Sequence, residues 1–373
     1  MLAVFWYGLV PVAGAFISRH NWRVFRRRFS DLCLKPVLDY GACLCIPEQG
    51  GVYRFIGGFE STDNCILWIR SETLTMPIML DRAETYLLPM AEGEELMEYL
   101  DPRGEVPEKI RWDRLSFLAE GAKVFVGGKV VRQAGRPVFV ASKDCPLLII
   151  FYDGADRSLP IRAIRAGRDK NEYWNPITPY SFIVGAFCHL GTALYFLSRP
   201  IFRFTAITAC IALFTPLIPL IPPGLVCTLL YQRLWRQARL FRIYRDILQL
   251  PLKYQGRLPN GEAYGFTRSA GPPAEVLEGT APQLIPGKKG TGKHLKKEDW
   301  YVFGSLRENA AFPREPADPF APFGAFPGNP AIFARRYTRK AYALEIVSWL
   351  LLIAGLGLNV FFIIMILNIL GIW

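Results

Sequence analysis

The string "GKKGTGKH", residues 287–294, comes nearest to a catalytic motif in residue type and spacing. Gly287, Gly292 and Lys293 fit the G-x-x-x-x-G-K of a phosphate-binding loop, in which backbone amides and a lysine hold phosphate oxygens. The next position should be Ser or Thr, whose hydroxyl ligates magnesium, but here it is His294. The flanking residues are poor candidates for the strand and helix that such a loop joins. We therefore interpret the string as part of a flexible basic linker.

Other reactive side chains are scattered along the chain. The three histidines and eight cysteines do not form the paired ligand spacings of a zinc site, and no G-x-S-x-G or H-E-x-x-H motif occurs. Cys188 and His189 lie inside a predicted membrane span, where an ionisable group is a functional candidate; a neutral histidine packed between helices is the interpretation that we favour. We predict no catalytic residue set, no metal and no cofactor, and expect the thiols to be buried or reduced.

Arginine recurs at every third position in "QRLWRQARLFRIYRDILQL", residues 232–250. A voltage sensor has this spacing, but it also needs acidic partners within neighbouring spans. The nearest acid here, Glu345, lies at the border of the last predicted span. We interpret the stretch as a basic juxtamembrane helix whose arginines contact anionic lipid headgroups. The predicted lipid contacts are Arg233, Arg236, Arg239, Arg242 and Arg245, together with Arg162, Arg165 and Arg168, which repeat the spacing before another span.

Apolar segments of membrane-spanning length account for much of the 51% hydrophobic content of this 373-residue chain. A helix that crosses the bilayer needs roughly 20 apolar residues. The segments at 1–18, 179–198, 201–223 and 346–373 meet or approach that length. We predict four transmembrane helices at these positions.

The third of these segments contains prolines at positions 216, 219, 222 and 223. Each proline removes an amide donor and crowds the preceding turn, so a straight helix through the segment is not expected. We predict a kinked span at 201–223 and a separate juxtamembrane helix at 224–250.

Most of the basic residues that border the predicted spans lie on one side of the membrane in the predicted topology. Five arginines and no acid lie within residues 1–29, all of them after the first apolar segment, and on this topology only Arg199 and Arg203 face the opposite side. The positive-inside rule then predicts an integral, multi-pass membrane protein with both termini outside and its soluble parts cytoplasmic. If the source is bacterial, the expected location is the inner membrane. Ala13-Gly14-Ala15 leaves a cleaved signal open for residues 1–18.

Residues 50–165 follow a basic border and linker at 19–49 and show the pattern of strands. "CILWIRS", "TLTMPIML" and "KVFVGGKVV" are short and rich in β-branched residues, and "QAGRP" is a hairpin signal. This pattern is similar to small closed barrels, either OB-like or SH3-like. OB-folds often bind nucleic acid in a basic groove. Residues 30–175 carry 18 Lys and Arg against 22 Asp and Glu, so we expect no nucleic acid.

Residues 251–343 form the last predicted soluble segment. The stretch 251–330 contains 12 prolines and 11 glycines, which favours an irregular loop. Exposed aromatic residues at this density indicate a docking surface, either for the chain's own barrel or for another protein. The predicted docking residues are Trp300, Tyr301, Phe303, Phe320, Phe323 and Phe326.

The sequence as a whole predicts an α+β multi-pass membrane protein with four spans, a small cytoplasmic β-barrel and a Pro/Gly-rich cytoplasmic loop. We expect a non-enzymatic scaffold or assembly factor whose partners are anionic membrane lipids and either other membrane proteins or further copies of itself. Two alternatives stay open at this point: an accessory or regulatory subunit of a transporter or secretion complex, and a membrane enzyme acting on a lipid or envelope precursor.

Overall fold

The computed structural model describes residues 1–47, 49–63, 65–88, 108–110, 121–133, 135–168, 173–269, 300–306 and 312–369. The chain divides into two compact units, each made from separate stretches of sequence. The helical unit comprises Met1–Arg23, Gly167–Arg242 and Arg336–Trp373, and the barrel unit comprises Val24–Ala166 and Ile243–Arg335. Helices and strands are both present, so the predicted α+β class is confirmed.

The helices include three that are long and apolar enough to cross a membrane, among the residues described. These are α1, α4 and α7, which confirms the prediction of membrane-length apolar helices at three of the four positions. The helices are α1 (Leu2–Cys33, with a π-helical turn at Phe5–Leu9), α2 (Tyr40–Leu44), α3 (Leu159–Arg165), α4 (Thr178–Leu197), α5 (Arg203–Leu213), α6 (Gly224–Lys253) and α7 (Pro330–Ile369).

The proline-rich segment at 201–223 holds only the short helix α5, followed by a 3-10 helix at Thr215–Leu220. The amide side chain of Asn359 in α7 compensates for the broken backbone pattern. Its Nδ2 donates to the carbonyls of Ile218 (2.5 Å) and Ile221 (2.8 Å), and its Oδ1 accepts from the amide of Gly224 (3.0 Å). A Cβ on Gly224 would lie 2.1 Å from that Nδ2, so the contact requires glycine.

The strands all belong to the barrel unit. They are β1 (Gly51–Asp63), β2 (Ile66–Arg70), β3 (Thr75–Met79), β4 (Glu84–Leu88), β5 (Glu108–Ile110), β6 (Lys123–Gln133), β7 (Arg136–Val140), β8 (Leu148–Tyr152), β9 (Gly256–Arg257), β10 (Ala263–Ser269), β11 (Trp300–Ser305) and β12 (Gly324–Pro327).

Five strands close into a barrel in the order β1-β2-β3-β7-β6 and back to β1. Long strand β1 makes the closure, because residues 51–58 pair with β6 while residues 58–63 pair with β2 across a bulge between Phe59 and Ser61. A bulge bends a strand in this way. The ring is antiparallel apart from β3 and β7, which pair in parallel at Ile78 and Phe139. The predicted small β-barrel is confirmed.

Alternating apolar side chains fill the barrel. Side chains that are 0% exposed inside it include Leu67, Ile69, Met76, Ile78, Val124, Val126, Val130, Phe139 and Ile149. Close packing explains the glycine at position 127, where a Cβ would lie 2.7 Å from Cδ1 of Leu32. Outside the ring, β8 pairs with β6, β4 with β8, and β5 with β4.

The irregular loop expected at 251–343 contains an antiparallel sheet in the order β12-β11-β10-β9 among its described residues. Cross-strand aromatic contacts stabilise it: Phe266 lies 5.4 Å from Tyr301, and Phe303 lies 5.7 Å from Phe326, between ring centroids. Pairs of this kind are a main source of sheet stability. The expectation of an irregular segment is therefore corrected here. The Pro and Gly content averaged over the whole segment concealed two short alternating runs.

Candidate functional site

The arginines of α6 fall into two classes in the structure. Arg233 and Arg236 are exposed, whereas Arg239 and Arg242 are 2% and 6% exposed. Arg245 is half-buried and bonds to its neighbour Asp246. The three-residue spacing turns successive side chains about 60° backwards around a helix, which carries the later arginines onto the packed face.

Glu345 of α7 is the carboxylate at the centre of the buried part. Arg242 binds it with two parallel bonds, from Nε to Oε1 (2.6 Å) and from Nη2 to Oε2 (2.5 Å). Nη1 of Arg239 lies 3.6 Å from the same Oε1. Paired donors of this geometry are the strongest arginine–carboxylate arrangement. One carboxylate therefore serves two guanidinium groups.

Aromatic rings cover the two guanidinium groups. Arg239 lies over the ring of Trp235, with 4.2 Å from its Cζ to the ring centroid, and Arg242 lies 4.8 Å from the ring of Tyr342. Contacts of cations with ring faces stabilise a charge that has lost its water. They also fix the plane of each guanidinium, which leaves its edges as the positions where hydrogen bonds form.

The electrostatic surroundings of Arg239 are mainly cationic. Among the described residues, Arg19, Arg168 and Arg242 lie within electrostatic reach of it, as does the carboxylate of Glu345. Burial lowers the pKa of Arg239 to about 10, and the carboxylate opposes that shift. The guanidinium is consequently still charged at neutral pH. We call Arg19, Arg168, Arg239, Arg242 and Glu345 the arginine cluster; all five residues belong to the helical unit.

The other predicted lipid contacts are Arg162, Arg165 and Arg168, and they do not share one environment. Arg162 is 1% exposed in the barrel unit, where it donates to the carbonyl of Asp153 (2.5 Å) and to that of Leu88. Arg165 and Arg168 are each 4% exposed. The structure thus places Arg239, Arg242 and Arg168 in one cluster and Arg162 in another environment. Lipid contact stays a prediction for all of these positions.

The predicted docking aromatics pack within the barrel unit. Tyr301, Phe303, Phe320 and Phe326 are buried, and Trp300 and Phe323 are partly exposed. The ring of Phe320 lies 5.5 Å from that of Phe125 in β6. In this conformation the buried rings contact the chain itself, and docking onto a second protein stays a prediction.

The phosphate-loop-like string at 287–294 lies outside the described residues. His189 is buried in α4, and its ring stacks on Tyr7 with 5.6 Å between centroids. All eight cysteines carry free thiols. Within the described ranges, no group of three or more His, Cys, Asp or Glu side chains is arranged to hold a metal ion.

A second buried ion pair, in the barrel unit, was not anticipated from the sequence. Arg54 of β1 donates through Nη2 to Asp318 and through Nε to the carbonyl of Lys35 (2.8 Å), and its Cζ lies 5.2 Å from the Phe320 ring. Both charged side chains are nearly inaccessible, at 1% and 2% exposure. A charged residue between apolar neighbours in "VYRFI" was the available signal, but its partner lies 264 residues away.

A comparison with known proteins finds no matching family model, no matching curated protein and no matching solved structure. The arginine cluster places buried cationic donors next to the apolar segments of α1 and α7.

Proposed function

We propose that this chain is a non-enzymatic, multi-pass membrane protein that presents its barrel unit as a scaffold or assembly factor. The observation that carries the proposal is the division of the chain into a unit with apolar, membrane-length helices and a unit built around a closed barrel. Such a chain keeps a folded soluble unit tethered to a membrane. We further propose a fourth span at 201–223, both termini outside and a cytoplasmic, OB-like barrel, since OB-folds have five barrel strands.

Exposed apolar side chains on the barrel unit support a role in assembly. Within one short stretch, Leu34, Val37, Tyr40 and Leu44 are 38%, 41%, 61% and 62% exposed. Exposed apolar side chains that lie close together in sequence on a folded unit favour an interaction surface. A second copy or another membrane protein that binds here would add its own transmembrane helices to the complex.

The experiment is extraction of the full chain from membranes in mild detergent, followed by mass determination of the complex. We expect a complex larger than the monomer that is lost in Tyr40→Ser/Leu44→Ser and retained in Gln249→Ser, a change at an exposed polar position. A homo-oligomer supports the scaffold, and a stable heteromeric complex supports the accessory-subunit alternative. A soluble chain, or turnover of a lipid or envelope precursor that is abolished by changing His189, would overturn the proposal.

A further inference from the structure

Arg239 and Arg242, two of the buried arginines of the arginine cluster, differ in how their hydrogen-bond donors are used. In arginine, Nε and Nη2 form one edge of the planar group, with parallel N–H donors. On Arg242 this edge is filled by both oxygens of Glu345. On Arg239 the same two donors, Nε and Nη2, are buried and have no hydrogen-bond acceptor among the described residues.

The charges of the arginine cluster also favour an added anion. Among the described residues, Arg19 and Arg242 act on Arg239 as cations and Glu345 is the carboxylate that opposes them. Arg239 and Arg242 are almost fully buried. A buried charge without a compensating partner costs several kcal/mol. An anion at the unused edge of Arg239 would satisfy both the charge and the two donors.

We propose that the arginine cluster is a binding site for a phosphate group, held bidentately by Nε and Nη2 of Arg239. Phosphate oxygens match the spacing of the arginine edge, and Arg19 supplies further positive charge. Trp235 covers one face of the guanidinium, so the ligand approaches the edge and not the face. Arg19 is half-buried, so the charge of the cluster extends to a partly exposed side chain.

The position of the cluster identifies a lipid headgroup as the source of the phosphate. Arg19 directly follows the apolar segment 1–18 of α1, and Glu345 directly precedes the apolar segment 346–369 of α7. Two helices therefore independently place the cluster where apolar sequence meets polar sequence, which is the level of lipid phosphates in a bilayer. This assignment rests on the membrane association in the proposed function.

The test measures binding to the full chain with two probes, after the detergent has been exchanged for an amphipathic polymer so that lipid vesicles stay intact. The first is a set of phosphatidylcholine vesicles with and without phosphatidylglycerol, and the second is inorganic phosphate. We expect Arg239→Gln to weaken binding of the anionic vesicles at least about tenfold, the effect of losing one charge-assisted contact. Arg239→Lys keeps the charge but loses the parallel donors, so it should weaken binding by an intermediate amount.

Arg339→Gln is the matched control, since it removes one exposed arginine from α7, within the same unit, that is not among the predicted lipid contacts. We expect it to weaken binding less than about twofold. Equal losses in Arg339→Gln and Arg239→Gln would overturn the proposal, because binding would then follow net charge alone. Should Arg239→Gln fail to fold, Arg239→Lys against Arg339→Lys gives the same comparison, and equal effects there also overturn it.

The two probes separate the sources of phosphate. Arg239-dependent binding of the vesicles supports a lipid headgroup. Arg239-dependent binding of inorganic phosphate without any dependence for vesicles supports the phosphate site and overturns the lipid assignment. The mass determination under the proposed function is independent of both binding measurements. A chain that forms no complex can still bind vesicles or inorganic phosphate.

Discussion

Two buried arginine–carboxylate pairs, one in each unit, differ in charge balance. In the barrel unit, Arg54 faces the single carboxylate of Asp318 and one backbone carbonyl, and the charges are matched. In the helical unit, Glu345 is shared by Arg239 and Arg242, with Arg19 and Arg168 nearby. Both carboxylates are buried, so the difference lies in the number of cations around each.

The contrast concerns which pair would favour an added anion. In the barrel unit the charges of Arg54 and Asp318 are matched, although Nη1 of Arg54 is buried without a hydrogen-bond partner among the described residues. An excess of buried cations raises the free energy of the folded state unless an anion is added. The loss of stability on removing Glu345 from the helical unit should therefore depend on added anions. The loss on removing Asp318 from the barrel unit should not.

The largest effect is expected for Asp318→Ala, which leaves Arg54 charged and buried. Breaking a buried pair in this way costs about 3 to 5 kcal/mol. Denaturant unfolding of the full chain, with hydrogen exchange to locate the loss in β1 and β6, measures it. Glu315→Ala is the control, because its partner Arg157 and Glu315 itself are 59% and 46% exposed and such pairs contribute roughly 0 to 1 kcal/mol. A cost no larger than that of the control would show that Asp318 does not hold Arg54.

Glu345→Gln should destabilise the helical unit by about 3 kcal/mol in neutral detergent, because Arg239 and Arg242 lose their carboxylate. Anionic lipid should restore part of that stability, since its phosphate then neutralises the cluster. Thermal unfolding midpoints of wild type and variant, with and without phosphatidylglycerol, provide the measurement. Asp318→Ala serves as the comparison, and we expect no recovery with it. Equal recovery of both variants would remove the distinction between the two pairs.

Asn359→Leu tests a buried polar contact that carries no net charge. It removes three hydrogen bonds to the segment before α6 and should cost about 1 to 2 kcal/mol, because such bonds contribute roughly 0.6 kcal/mol each between membrane helices. Asn368→Leu is the matched control on α7, at an exposed position. We expect no loss there, and addition of anionic lipid should affect neither variant. A lipid-dependent loss at Asn359 would contradict the assignment of lipid binding to charge.

Local patterns predicted the elements that depend on neighbouring residues. The alternation in "KVFVGGKVV" and the turn signal "QAGRP" correspond to β6, β7 and their antiparallel pairing. The proline run at 216–223 corresponds to the break between α5 and α6. These outcomes follow from steric rules that act within a few residues.

Contacts between residues far apart in sequence could not be predicted in the same way. Ring closure depends on β1 pairing with two strands and on a parallel contact between β3 and β7, which no local pattern specifies. The arginine spacing on α6 was visible, but which arginines are buried depends on Glu345, 103 residues after Arg242. The sheet of β10 and β11 was missed because composition was averaged over a long segment.

The separation between Arg54 and Asp318 has a consequence for biosynthesis. The ribosome adds 264 further residues after Arg54 before the carboxylate exists. At roughly 5 to 20 residues per second this interval lasts about 10 to 50 s. During that time all five ring strands have been made, and α4 and α6 have left the ribosome, while the guanidinium still lacks its carboxylate. Completion of the barrel unit therefore waits for the synthesis of Asp318, and a chain truncated before that residue exposes an unfinished surface to quality control.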